Sequence, residues 1–189
     1  MTDNKQIAKG SHNIQQNGEW NFNNSPISLI ISPNRLTPSD ATTLLKLTLK
    51  LREGKDKISQ ALPAGFQQKL DFNEVIRLKG IYMDPINSEQ MNVVERAITD
   101  MVDSQPLIRR LTELFVQVLV LDDENHIVPG NGDKQLESIQ SKLYETITND
   151  PSFPTLGITD EVTHLFVTGL VGYGIMTCKI LLNPNESGA

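Results

Sequence analysis

Residues 165–182, LFVTGLVGYGIMTCKILL, form an apolar run of 18 residues whose only charge is Lys179. Such a run either crosses a lipid bilayer or lies buried inside a fold. Eighteen residues are near the lower limit for a span, and Thr168, Thr177, Lys179 and three glycines count against lipid. A buried core helix is the expectation. Thr159 supplies a cap, with Asp160 and Glu161 in the first turn, and the helix should run to about Leu182, before Pro184. Apolar nearly all round, it should occupy the centre of a bundle and touch most other elements. Gly169, Gly172 and Gly174 should let neighbouring helices come close.

The rest of the chain supplies helices to surround it. Thr37-Pro38-Ser39-Asp40 combines a Thr cap, Pro at the first helical position and an acid in the first turn, predicting a helix to about Arg52. Leu45 to Arg52, LKLTLKLR, also alternates with the period of a strand, but the start signal and leucine's propensity favour helix. Helical spacing of Val75, Ile76, Lys79 and Tyr82 predicts a helix from Asn73 to Met83, ended by Asp84-Pro85. Ser88 should cap the next, with Met91, Val94, Ile98 and Met101-Val102 on one face. Ser104 and Pro106 begin a helix carrying Leu107, Ile108, Leu111, Leu114, Phe115, Val118 and Leu119. Asp122 to Gly132 reads as a loop, and Asp133 opens a helix with Leu136, Ile139, Leu143 and Ile147, broken before Pro151. The expected fold is all-α, a compact array of about six helices over residues 36–189.

Residues 1–35 differ. Ser11 to Asn24, SHNIQQNGEWNFNN, is half Asn and Gln and holds the only Trp. Asn17-Gly18 is a strong type I′ turn signal, because both residues tolerate positive φ. Pairing about it sets Gln15 opposite Trp20 and Ile14 opposite Asn21, with Trp20 and Phe22 on one face. A short β-prone run, Ile27 to Ile31, follows. The leader is thus a hairpin-like segment that needs something to pack against.

The formal net charge of −6 in 189 residues argues against a nucleic-acid surface. The basic candidates are a short set, Lys46, Lys50, Arg52, Lys55 and Lys57, and the pair Arg109-Arg110. One cysteine, Cys178, excludes an internal disulfide and fits a reducing compartment. The polar N-terminus lacks a signal-peptide core, so the expected location is the cytoplasm.

Catalytic patterns are lacking. His12, His126 and His164 stand far apart, none in a motif with Ser or Cys. Asp122-Asp123-Glu124-Asn125-His126 lacks the spacing of a calcium loop. Gly130-Asn131-Gly132-Asp133-Lys134 lacks the gap and hydroxyl of a phosphate loop. No metal or other cofactor is expected, and no enzyme activity.

Two stretches carry a resemblance. GSHNIQQNGEWNFNN resembles the Asn/Gln/Gly leaders on components of bacterial conflict and antiviral systems. Lys69-Leu70-Asp71-Phe72-Asn73-Glu74-Val75 and Val171 to Pro184, with its Cys-Lys-Ile-Leu-x-x-Pro ending, resemble the helical C-terminal domain of ABC-type three-component systems. The resemblance implies a non-enzymatic adaptor of antiviral defence that recruits or assembles other proteins, such as a co-encoded ABC ATPase or effector. Ile14, Gln15, Gln16, Trp20 and Phe22 are the expected partner-binding residues. Ile14-Gln15-Gln16-Asn17-Gly18 also resembles the Ile-Gln-x-Gly core of amyloid signalling motifs, its Gly one place late. Amide ladders of that kind would make the leader drive self-assembly into a homo-oligomer.

Overall fold

The structure is a computed structural model that describes residues 35–49, 65–177 and 179–185. The chain divides after Arg35, and the unit described here begins at Leu36. It is an array of helices with one small hairpin. In chain order the described elements are α1 (Pro38–Leu49), α2 (Phe66–Phe72), α3 (Lys79–Tyr82), α4 (Pro85–Thr99), α5 (Gln105–Val116), β1 (Val120–Leu121), β2 (Ile127–Val128), α6 (Gly132–Thr148), a 3₁₀ turn (Phe153–Thr155) and α7 (Asp160–Met176). The leader hairpin and Cys178 lie outside the described residues.

The apolar run seeds the centre, as its composition requires. α7 packs along α4 and also touches α1, α2, α5 and α6. Its inward residues Phe166, Val167, Leu170, Val171 and Ile175 are buried. Gly169 and Gly172 explain the intimacy with α4: a Cβ at Gly169 would lie 3.1 Å from the Gln90 backbone, and one at Gly172 would lie 2.7 Å from Met91 Sδ. Side chains at these positions would push the two helices apart. Among the described residues no helix is long and apolar enough to cross a membrane.

Local signals set most boundaries. Thr37 and Asp40 form a reciprocal cap on α1: the Asp40 amide donates to Thr37 Oγ1, and the Thr37 amide donates to Asp40 Oδ2, each at 3.2 Å. The alternating run resolves as helix, with Leu44, Leu45, Leu47 and Thr48 buried and Lys46 exposed. At the start of α7, Thr159 accepts from the Val162 amide.

Four expectations change. No helix spans Asn73 to Met83: α2 ends at Phe72 and only Lys79–Tyr82 is helical beyond it. Glu74 takes a left-handed φ of 57° there, and the Val75 amide closes on the Leu70 carbonyl at 2.9 Å, ending α2 in a Schellman-type turn. Asp84-Pro85 begins α4 where it was expected only to end a helix, with Asp84 Oδ1 accepting from the Ile86 amide at 2.7 Å, so Ser88 is not the cap. The loop after α5 contains a two-stranded antiparallel sheet pairing Val120 with Val128 and Leu121 with Ile127. Asp122 folds its turn by accepting from the amides of Glu124 and His126. Finally, α7 stops at Met176, six residues short of Leu182, because its C-terminal carbonyls are taken by another segment.

Candidate functional site

That segment is Lys69 to Asn73, one of the two stretches carrying the family resemblance. It meets the other, 106 to 111 residues away, in a clasp. Lys69 lies on α2 with its side chain wholly buried, and its Nζ donates to the carbonyls of Ile175 at 2.8 Å and Ile180 at 3.0 Å. A buried ammonium needs such partners, and the negative end of a helix offers them. Asn73 sits one turn on. Its Nδ2 donates to the carbonyls of Lys69 (2.8 Å) and Leu182 (2.9 Å), and its Oδ1 accepts from the Leu182 amide at 2.9 Å. The amide side chain thus pairs with the Leu182 backbone as a strand would.

The clasp holds a strained residue. Leu181, 2% exposed, has φ 66°, a conformation that costs a non-glycine residue about 1–2 kcal/mol. The bonds to Ile180 and Leu182 on either side keep it there. The Asn73 carbonyl also accepts from the Gly132 amide at 2.9 Å, which fixes the start of α6.

The same corner sets the path of residues 76–86. Asp133, in the first turn of α6, accepts from the amides of Ile76, Arg77 and Leu78. Partial burial pushes its pKa up, but the Leu78, Arg77 and Ile76 amides and the Arg77 charge outweigh that and hold the carboxyl below its ordinary value. The glycine-rich string once compared with a phosphate loop therefore supplies its own anion to a row of amides. With the backbone pinned, Val75 and Tyr82 point inward. Tyr82 is buried with its hydroxyl accepting from Gln140 Nε2 at 2.7 Å, and burial raises its pKa well above the usual range.

Outward, four large apolar side chains are left within eleven residues: Ile76 (78% exposed), Ile81 (50%), Met83 (44%) and Ile86 (66%). Charged pairs flank them. Arg77 meets Glu137 at 2.8 Å, and Lys79 bonds Asp71. Exposed apolar side chains among charged ones match the make-up of protein interfaces.

A second group lies between α6 and α7. Tyr144 and His164 stack with centroids 4.6 Å apart and planes 11° from parallel. The Tyr144 hydroxyl donates to Asp160, which raises the phenol pKa, and the other Asp160 oxygen lies 3.6 Å from His164 Nε2. A crevice of about 320 Å³ opens beside them, lined also by Ser141 and Glu145. The Asp160–His164 spacing of four is legible in the sequence, whereas the stack with Tyr144 exists only in the packed bundle.

The sequence-predicted partner-binding residues, Ile14, Gln15, Gln16, Trp20 and Phe22, lie outside the described residues. His126 is exposed, 3.3 Å from Asp122 and 3.6 Å from Glu124, on the tip of the hairpin. No group of three His, Cys, Asp or Glu able to hold a metal ion occurs among the described residues. Comparison with protein-family models, curated proteins and solved structures gives no match.

Proposed function

We propose that this chain is a non-enzymatic, cytoplasmic adaptor of a bacterial antiviral conflict system, a helical domain that recruits partner proteins. What supports the reading is the exposed apolar stretch Ile76–Ile86, held out beside the clasp. Exposed apolar side chains gathered on a domain with a full core mark a surface that another macromolecule covers. The resemblance carried by Lys69–Val75 and Val171–Pro184 suggests its kind, a co-encoded ATPase or effector; the two stretches being hydrogen-bonded neighbours makes them one unit in this domain.

Co-expression of the full chain with the products of the genes flanking its own tests this. A complex that survives gel filtration, and is lost in the Ile76→Asp/Ile86→Asp variant, is the expected result. Both positions are exposed, so that variant should keep its fold, within about 0.5 kcal/mol per site. Elution of every flanking product apart from the chain would overturn the proposal.

A further inference from the structure

Arg110 and Lys142 face a cleft between α1, α5 and α6 with a volume of about 560 Å³. The sequence marks Arg109-Arg110 only as a short basic pair; the structure separates Arg110 by sinking its side chain to 17% exposure. Little holds it there. Its Nη1 is 3.9 Å from Glu113 Oε2, at the limit of an ion pair, and its Nε is buried with no acceptor. A guanidinium carries five N–H donors in a planar fork, so a buried one without acceptors is costly until something outside supplies them. Lys142, on the facing helix, spends its ammonium on the neutral Gln117 Oε1 at 3.0 Å.

The remaining walls define the rest of the ligand. Leu47 and Leu114, both buried, give the cleft an apolar side. Two carboxylates also line it, and neither cancels the cations closely. Asp150 accepts from the amide and hydroxyl of Ser152. Glu145 is exposed to water and borders the Tyr144–His164 crevice as well. A ligand for this cleft would bring an oxyanion to Arg110 and Lys142 and an apolar body to the two leucines.

We propose that the cleft binds a small organic oxyanion, a carboxylate or a phosphate, through Arg110 and Lys142. The guanidinium turns its Nε edge toward the anion, which becomes the acceptor the protein does not provide, and Lys142 exchanges Gln117 for a charged partner. This site is separate from the apolar stretch of α3 and α4, and its occupancy does not depend on the adaptor reading.

The test follows the Arg110 Nε–H resonance of the full ¹⁵N-labelled chain, assigned by its loss in Arg110→Lys. N-acetyl-leucine supplies a carboxylate with an apolar body, inorganic phosphate supplies the other anion, and N-acetyl-leucinamide is the uncharged control. The expected result is a saturable shift with one anion and none with the amide; which anion acts identifies the source. Lys142→Ala should weaken that binding about tenfold, the worth of one charge-assisted hydrogen bond. Lys142 is partly exposed, so this variant stays informative even if Arg110→Lys disturbs the fold. No saturable shift at millimolar anion, an equal shift with the amide, or undiminished affinity in Lys142→Ala would overturn the proposal.

Discussion

Asn73 offers the sharpest test of the clasp. Its side chain makes three hydrogen bonds, two of them to the Leu182 backbone. In Asn73→Ala the Leu182 amide and carbonyl lose their partners, while the Lys69 carbonyl keeps the Asn73 backbone amide at 3.2 Å. Two orphaned groups at about 1–2 kcal/mol each give a loss of about 2–4 kcal/mol, a large share of a domain's total stability. Asn73→Asp is nearly isosteric and should be worse at neutral pH. It places a carboxylate oxygen where Nδ2 now faces two carbonyls, at a site 1% exposed. The introduced carboxyl would favour its neutral form in the folded state, because the protonated oxygen can donate as Nδ2 does, so its folded pKa lies above the unfolded value of about 3.9. The sign follows: the variant's deficit is smallest below about pH 4 and grows by about 1.4 kcal/mol per pH unit until the folded pKa is passed. Urea denaturation of wild type, Asn73→Ala and Asn73→Asp at pH 4.5 and pH 7 measures it. An Asn73→Asp deficit that is no larger at pH 7 than at pH 4.5 would refute the pairing with Leu182.

Other expectations follow from the same corner. In Gly132→Ala the new Cβ would stand 2.4 Å from the Asn73 carbonyl oxygen and 2.6 Å from Val75 Cγ2. That should cost about 2–3 kcal/mol, whereas Gly80→Ala, in α3 with nothing within 4 Å, should gain about 0.5–1 kcal/mol; thermal melts compare them. Asp133, its pKa lowered in the fold, stabilises above the ordinary carboxyl range, and that contribution is lost as pH falls through the folded value. Wild type should therefore lose more Tm between pH 7 and pH 3 than Asp133→Asn does. A steeper acid loss in the variant would contradict the amide row at Ile76–Leu78.

The helical class and the central place of residues 160–176 were legible in the chain itself. A run without a polar face must be enclosed, and Thr37-Pro38 and Thr159-Asp160 start helices through local hydrogen bonds that need no partner elsewhere. The glycines of α7 could be read the same way, since a missing Cβ is useful chiefly where another backbone comes near. Where helices stop was decided by distant residues. Lys69 claims the carbonyls of Ile175 and Ile180, and Asp133 the amides of Ile76 to Leu78, so α7 ends early and a helix-like pattern after Asn73 becomes a turn. The exposure of Ile76 and Ile86 and the unmet Nε of Arg110 belong to the same level. Periodicity reports which side chains share a face; only packing decides which faces are covered and which polar groups find a partner.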